Sequence, residues 1–182
     1  MSRLSIPTVA QAPAASQPLL EAVNKQLGVV PNLMKLLAVS PAALEGYLSL
    51  SGALGKGTLS IKLRESLALA VAEFNGCDYC LAAHSYLGKN LAKLSEEDIA
   101  QARDGRAADP RTAAALQFAH RVAADRGRVS DADLVDLRAA GFNDAETLEI
   151  VLNVALNLLT NYVNNVAHTD VDFPRVSSHL SA

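Results

Sequence analysis

The chain has 182 residues, of which 50% are hydrophobic, 4% aromatic and 19% charged, and its formal net charge is -3. This length suits one domain with a sizeable core, and a slightly negative chain without a long block of Lys and Arg has no electrostatic footprint for nucleic acid or an anionic membrane. Two cysteines, Cys77 and Cys80, are too few for a disulfide scaffold.

The composition predicts a helical protein. Alanine (32 residues) and leucine (28 residues) make up most of the hydrophobic residues, against 15 Val, 4 Ile and no Trp. Alanine and leucine are good helix formers, whereas the β-branched and aromatic residues that suit strands are scarce. Because we find no strand pattern, no Gly-rich phosphate loop and no internal repeat, the sequence predicts an all-α fold.

The N-terminal residues 1–18 contain three prolines and no hydrophobic period, which predicts an extended or poorly ordered arm. The arm lacks the apolar segment of a secretory signal. The most apolar run, 148–159, is shorter than the roughly 20 residues that span a bilayer. We therefore expect a cytoplasmic protein with one helical domain over residues 19–182 and no membrane or nucleic-acid partner.

Apolar periodic segments after the arm predict nine helices. In chain order they are 19–27, 32–38, 41–54, 60–75, 77–92, 95–104, 110–126, 130–140 and 144–167. Glycine stands at five predicted helix ends: Gly28, Gly76, Gly105, Gly127 and Gly141. Three predicted starts pair an N-cap with an acid three residues later: Ser95 with Asp98, Ser130 with Asp133, and Asn143 with Glu146. The tail 172–182 is predicted to be irregular.

The stretch from Ser60 to Asn90 is the most informative about chemistry, because both cysteines fall in it. Two amphipathic helices meet there at the Asn75-Gly76 turn. Cys77 falls at the start of the second helix, where unpaired backbone N–H groups and the helix dipole favour a thiolate.

Three side chains of this second helix share one face. At 100° per residue, Cys77, Cys80 and His84 lie within about 60° of one another. His84 follows Cys80 by one turn, a spacing at which the imidazole can take or give the thiol proton. Glu65, on the preceding helix, reaches the height of His84 if the two helices pack antiparallel. The pattern predicts a chain in which Glu65 orients His84 and His84 activates Cys80.

The spacing of these residues resembles a known family signature, E-x11-C-x2-C-x3-H. The residues that match it are Glu65, Cys77, Cys80 and His84. The sequence is similar in this respect to the alkylhydroperoxidase D-like proteins, a group that also contains the carboxymuconolactone decarboxylases. Residues 29–54 (VVPNLMKLLAVSPAALEGYLSLSGAL) and 161–174 (NYVNNVAHTDVDFP) resemble an uncharacterised peroxidase-related branch of it, so the resemblance covers most of the chain.

The resemblance implies an all-α, alkylhydroperoxidase D-like helical bundle that forms a homotrimer or homohexamer, without a cofactor or metal. It implies an oxidoreductase that reduces a hydroperoxide through a CxxC disulfide cycle and is re-reduced by an external thiol system of the lipoyl or thioredoxin type. By the same resemblance, Cys80 attacks the peroxide and Cys77 resolves the sulfenic acid. His84 and Glu65 relay protons.

Two features of the chain bear on these roles. The best-described member of the family has a further relay histidine directly before its second cysteine, and Tyr79 stands at that position here, so this part of the relay is absent or replaced. Helix-terminus physics gives the lower pKa to Cys77, whereas the spacing from Cys80 to His84 favours Cys80. We follow the family and take Cys80 as the attacking residue.

Other interpretations of the same residues stay open. A CxxC pair can be half of a zinc site, although no second Cys pair or HxxxH supplies the remaining ligands. The cysteines can also be buried structural residues, and Glu65 can pair with Lys62 or Arg64. Four asparagines recur every four residues on the last helix, which predicts hydrogen bonds between helices or subunits, or else the lining of a pocket. They are Asn153, Asn157, Asn161 and Asn165.

Two further functions are alternatives to the peroxidase. The family resemblance permits a lyase of the carboxymuconolactone decarboxylase type, acting on a lactone acid, although that branch typically lacks the CxxC pair. The other alternative is a helical oligomer that senses redox state without catalysis. A thiol-disulfide reductase that serves a partner enzyme is a close variant of the predicted peroxidase.

Overall fold

A computed structural model describes residues 2–179 and shows nine α-helices and no strand among them. The helices are α1 (Gln17–Leu27), α2 (Asn32–Leu37), α3 (Pro41–Leu54), α4 (Ile61–Phe74), α5 (Asp78–Asn90), α6 (Glu96–Arg103), α7 (Pro110–Ala124), α8 (Asp131–Ala139) and α9 (Asp144–Ala167). The predicted all-α fold is therefore confirmed for these residues. Met1 of the predicted arm and residues 180–182 of the predicted irregular tail lie outside the described residues.

The predicted helix starts and stops explain why the chain folds in these units. Ser95, Ser130 and Asn143 each form a capping box with the acid three residues later, so two backbone N–H groups at each helix start are satisfied. The five glycines predicted at helix ends all adopt positive φ: Gly28, Gly76, Gly105, Gly127 and Gly141. These local signals are confirmed as predicted.

Three helix boundaries differ by two residues from the predicted ones: the start of α1 and the ends of α5 and α7. Two of these differences have identifiable reasons. Helix α1 begins at Gln17, two residues before the predicted start, because Pro18 is accommodated in the first turn, where its missing N–H is harmless. Helix α7 ends at Ala124 because Arg126 adopts a left-handed φ of 56°, which cannot continue a right-handed helix.

Helix α4 is the centre of the bundle. It packs against α5, α6, α7 and α9, and its buried residues follow one another without interruption from Ser66 to Glu73. A helix that is apolar on nearly all sides must be surrounded by other helices. This central helix carries Glu65 near its start and leads through Asn75 and Gly76 directly to Cys77, so the bundle core holds the candidate site.

The arm and the end of α9 are joined by backbone contacts. The Arg3 N–H donates to the Ala167 carbonyl at 2.6 Å, and the Asp170 N–H donates to Ser2 Oγ at 2.9 Å. Further along the arm, buried Ser16 donates through its hydroxyl to the Ala38 carbonyl at 2.8 Å. Across residues 2–179, no helix is both long and apolar enough to cross a membrane.

Candidate functional site

Cys77 is the N-cap of α5. Its backbone is extended (φ -96°, ψ 91°), and its sulfur accepts the backbone N–H of Cys80 at 3.3 Å. Gly76 reaches a φ of 59° in the turn before it, and the Cys77 N–H donates to the Ala72 carbonyl at 3.0 Å. A tight turn with glycine in the left-handed region therefore places Cys77 where the first N–H groups of the helix are free to stabilise negative charge.

Cys77 and Cys80 form a disulfide in this structure, with their Cα atoms 5.3 Å apart. Their exposed fractions are only 1% and 3%. The structure therefore represents the oxidised protein, with both sulfur atoms inside the bundle. The part of the chain described shows no group of three or more His, Cys, Asp or Glu that could hold a metal ion.

His84 and Glu65 are hydrogen-bonded across the α4–α5 interface. His84 Nδ1 lies 2.9 Å from Glu65 Oε2, and the two side chains are 23% and 16% exposed. Arg64, one of the partners considered for Glu65, instead donates to the Leu59 carbonyl at 2.6 Å. Because both side chains are partly exposed, the pair can exchange a proton with solvent or with a bound molecule.

The expected link from His84 to Cys80 is not a direct hydrogen bond. Among residues 2–179, the side chain that hydrogen-bonds to the Cys80 sulfur is that of Asn164, and the His84 ring pairs with Glu65 instead. The reason is that the Cys80 sulfur is bonded to Cys77, toward the start of α5, whereas His84 lies one turn further along the helix. In the oxidised form, the imidazole and the sulfur are thus neighbours on one helix without a shared proton.

Asn164 is the residue that the sequence interpretation missed. Its side-chain Nδ2 lies 3.3 Å from the Cys80 sulfur, and the residue is 3% exposed. It stands between Asn161 and Asn165 but outside the four-residue period that predicted a polar stripe. An asparagine on an otherwise apolar helix was the available signal, but it does not identify a partner 84 residues away.

The four predicted asparagines divide into two pairs. Asn153 and Asn157 donate to carbonyls one turn earlier on α9, at 2.7 and 2.8 Å. Asn161 accepts from the side chain of Asn75 at 2.9 Å, and Asn165 donates to the Asn75 carbonyl at 3.0 Å. The first pair is internal to α9, whereas the second fastens the turn between α4 and α5.

Tyr79 lies beside the cysteines but is engaged elsewhere. Its hydroxyl accepts the Leu33 N–H at 3.0 Å, and its ring packs against Phe173 at 5.9 Å. Burial raises the pKa of the Tyr79 hydroxyl far above its ordinary value; the Leu33 N–H opposes this rise and the Asp172 carboxylate adds to it. Tyr79 is therefore neutral at physiological pH and contributes packing at the position where the family has a relay histidine.

Tyr47 on α3 is a second residue that the sequence interpretation did not select. It is partly buried against the core. Burial raises the pKa of its hydroxyl, a hydrogen bond with Ser51 lowers it, and the negative charge of Glu65 raises it again. Tyr47 therefore contributes a neutral hydroxyl within electrostatic range of the Glu65–His84 pair.

The segment after α9 packs beside the start of α5. The ring of Phe173 contacts Tyr79 and Tyr86, with centroid distances of 5.9 and 5.8 Å. The Ser178 N–H donates to Asp78 Oδ1 at 2.8 Å. Because Asp78 and Tyr79 lie between the two cysteines in sequence, these contacts help to explain why the disulfide is buried.

Comparison with known proteins now identifies the class. Residues 41–125 match the sequence profile of the carboxymuconolactone decarboxylase family. This stretch contains Glu65, both cysteines and His84. This part of the chain therefore resembles the carboxymuconolactone decarboxylase family, and the predicted family resemblance is confirmed. No curated protein sequence matches the chain.

Solved structures narrow the likeness further. An uncharacterised peroxidase-related protein from Ralstonia eutropha JMP134, described as an alkylhydroperoxidase AhpD core, shares 27% identity and a TM-score of 0.85, over 94% of this chain and 92% of that one. A peroxidase-related protein from Silicibacter sp. TM1040 shares 26% identity and a TM-score of 0.82, over 93% and 91%. The debrominase Bmp8, in complex with 2,3,4-tribromopyrrole, has the same fold at 16% identity, with a TM-score of 0.79 over 94% of each chain.

Proposed function

We propose that the protein is a thiol-dependent peroxidase that reduces hydroperoxides through a Cys77–Cys80 disulfide cycle. The observation that carries the proposal is the joint geometry of a disulfide at the start of α5 and a hydrogen-bonded Glu65–His84 pair one turn further along. Two cysteines close enough to form a disulfide, near a proton donor, are the groups that peroxide reduction needs. The likeness to two peroxidase-related proteins supports the same reaction class.

The first step is attack by the Cys80 thiolate on the terminal oxygen of the hydroperoxide. A sulfur–oxygen bond forms, the oxygen–oxygen bond breaks, and the electron pair of that bond leaves on the alkoxide. Protonated His84, oriented by Glu65, gives the alkoxide a proton, so that an alcohol is released and Cys80 becomes a sulfenic acid. Since the imidazole of His84 makes no hydrogen bond to the Cys80 sulfur in the described chain, its role here is to serve the leaving oxygen.

The second step closes the disulfide. The Cys77 thiolate attacks the Cys80 sulfur, the sulfur–oxygen bond breaks, and the departing hydroxide takes a proton to leave as water. An external dithiol of the lipoyl or thioredoxin type then reduces the disulfide by thiol–disulfide exchange and is itself oxidised. A reducing cytoplasm, which keeps such dithiols available, is the compartment that we propose for this cycle.

Steady-state peroxide consumption tests the proposal. With an alkyl hydroperoxide and dihydrolipoamide, we expect turnover by the wild type and none by Cys80→Ser or Cys77→Ser. His84→Ala should lose about a hundredfold or more in rate, because a positioned proton donor contributes this much. His120→Ala is the matched control, since the His120 ring packs edge-to-face against Phe74 with centroids 5.0 Å apart, and the side-chain hydrogen bonds of the cysteines within residues 2–179 do not involve it.

Single and double substitutions of the two cysteines distinguish the alternative functions. A lyase of the carboxymuconolactone decarboxylase type would consume a lactone acid and would keep this activity in the variant that lacks both cysteines. A redox sensor would form the disulfide slowly with peroxide and would show no turnover with any dithiol. Unchanged peroxide turnover in Cys80→Ser would overturn the peroxidase proposal.

We propose in addition that the protein associates with copies of itself as a homotrimer or homohexamer. Large apolar side chains on the outer face of α9 are 39–65% exposed, and they follow one another at spacings that alternate between four and three once exposed Ala155 is included. They are Leu148, Leu152, Leu159, Tyr162 and Val166. Such a stripe is typical of a seam that packs against another helix.

The oligomeric state is tested by light scattering on the wild type and on Leu152→Lys. We expect a mass of three or six chains for the wild type. Because a lysine in the middle of an apolar seam costs desolvation in the assembled form, the variant should shift toward smaller species. A monomeric wild type at micromolar concentration would contradict the proposal.

A further inference from the structure

Asn164 is unlike the other buried asparagines of α9 in what its side chain contacts. Its Nδ2 points at the Cys80 sulfur at 3.3 Å, and this is its side-chain hydrogen bond within residues 2–179. Its Oδ1 is buried and has no partner there. Within residues 2–179 the side-chain amide thus makes one hydrogen bond, and its acceptor is a sulfur atom that reacts in the proposed cycle.

Stability alone does not account for this amide. A buried amide oxygen without a hydrogen bond costs free energy, and an apolar side chain of similar volume would avoid that cost. Asn161 also has an unpartnered atom, Nδ2, but it accepts a hydrogen bond from Asn75 and so ties two helices together. Asn164 has no such bond to another polar side chain, which leaves the Cys80 sulfur as the feature that its amide serves.

The strength of an N–H to sulfur contact depends on the state of the sulfur. A neutral thiol or a disulfide is a weak acceptor, whereas a thiolate carries a full negative charge and takes part in charge-assisted hydrogen bonds that are about twice as strong as neutral ones. The Asn164 contact therefore gains most when Cys80 is reduced and ionised. Its effect favours the form of Cys80 that attacks a peroxide.

We propose that the side-chain amide of Asn164 stabilises the thiolate of Cys80 in the reduced protein and thereby selects Cys80, over Cys77, as the attacking sulfur. The selection rests on the proposed peroxidase function, whereas the contact itself does not. Cys77 has its own donors at the start of α5, including the Cys80 N–H at 3.3 Å. Asn164 offsets this advantage of the helix N-terminus by giving Cys80 a donor from a different helix.

The direct test measures the ionisation of Cys80 alone. The Cys77→Ser background leaves one thiol and keeps a side chain that caps helices well. In this background, thiolate absorbance and alkylation rate are followed against pH with and without Asn164→Leu, which keeps the volume but removes the donor. We expect the pKa of Cys80 to rise by about one unit or more, since the lost hydrogen bond is charge-assisted. Asn157→Leu, equally buried on α9, should leave it unchanged.

A second readout separates this role from a structural one. In the protein with both cysteines, stabilising the thiolate favours the reduced form, so Asn164→Leu should make the disulfide harder to reduce. The equilibrium constant for reduction by a dithiol should fall about tenfold at a pH above the Cys80 pKa and change little well below it. A merely structural effect would not follow this pH dependence.

The role of Asn164 and the peroxidase function can fail independently of each other. An unchanged Cys80 pKa in Asn164→Leu, in a protein that folds, would overturn the role of Asn164. A raised pKa together with no peroxide consumption by the wild type would support the Asn164 contact and defeat the peroxidase proposal. If Asn164→Leu does not fold, the Cys80 pKa is measured in Asn164→Ser instead. The serine side chain is too short for its hydroxyl to reach the sulfur, so this substitution should raise the Cys80 pKa in the same way.

Discussion

The two halves of α9 carry the same polar residue at the same interval and use it differently. In the first half, Asn153 and Asn157 donate to carbonyls of their own helix. In the second half, Asn161 and Asn165 hold Asn75, and Asn164 touches the Cys80 sulfur. Asparagines at one regular interval thus have two roles: some bond only to the backbone of α9, and others support the candidate site.

The difference follows from what each half packs against. The first half faces the loop before α4, where the Glu149 carboxylate accepts the N–H groups of Thr58 and Leu59 at 2.8 and 3.1 Å. Glu149 thus makes the polar contacts between this half of α9 and the loop, and Asn153 and Asn157 bond to carbonyls of their own helix. The second half faces the α4–α5 turn, whose polar groups require partners because they are partly buried.

The largest expected effect separates Asn164 from Asn157 in catalysis. At a pH below the Cys80 pKa, Asn164→Leu should lower the rate of peroxide reduction by about tenfold, because a smaller fraction of Cys80 is ionised. Asn157→Leu should stay within about twofold of the wild type, since its amide contacts only the backbone of α9. Equal losses in the two variants, measured by initial rates, would remove the functional distinction between the halves.

The next largest effect is expected when the Glu149 carboxylate is removed, and it concerns the free energy of unfolding and how that energy depends on pH. Burial raises the pKa of Glu149, but the hydrogen bonds from Thr58 and Leu59 outweigh burial and the net shift is downward. A carboxyl pKa that is lowered on folding contributes stability above the unfolded pKa, and this contribution is lost as the pH falls through the folded value.

Glu149→Gln should therefore destabilise the protein by about 1 kcal/mol at pH 7. The gap to the wild type should close as the pH falls below about 4. Urea denaturation at pH 7 and pH 3.5 measures both values. A gap that is as large in acid as at neutral pH would show that the carboxylate charge has no part in holding the loop.

Asn161 is expected to have a structural effect of similar or slightly smaller size. Asn161→Ala removes the bond to Asn75 and leaves space at a residue that is 0% exposed, so we expect a loss of about 1 kcal/mol in the free energy of unfolding. The measurement is urea denaturation of the oxidised protein. Stability equal to that of the wild type would mean that the α4–α5 turn does not depend on α9.

Asn157→Ala should have the smallest effect, within about 0.5 kcal/mol of the wild type. It loses one hydrogen bond to its own helix, but alanine has the higher helix propensity and offsets that loss. The same denaturation series gives the value. If Asn157→Ala costs more than Asn161→Ala, the ranking of the two halves is reversed.

Local rules account for how much of the fold the sequence could predict. Capping boxes at Ser95, Ser130 and Asn143 depend on residues only three apart, and glycines mark five helix ends. Together with the apolar periodicity, such local signals allowed nine helices to be placed in order. The start of α1 was missed because Pro18 can belong either to a loop or to a first helical turn. Boundaries of this kind depend on the rest of the bundle.

The sequence could predict those contacts of the candidate site that follow from residue spacing on two consecutive helices. Glu65 and His84 meet because two helices joined by a short turn pack antiparallel. Asn164 and Tyr47 were out of reach, since their nearness to Cys80 and Glu65 depends on how α9 and α3 pack onto the central helices. The catalytic roles of all these residues are still predictions.

The most direct test of the proposed cycle is a single turnover. Fully reduced protein is mixed with one equivalent of an alkyl hydroperoxide, and the alcohol, the Cys77–Cys80 disulfide and any sulfenic acid are quantified over time. We expect one alcohol and one disulfide per chain, and a sulfenic acid that persists on Cys80 in the Cys77→Ser variant. Intact peroxide beside two unreacted thiols would contradict the account.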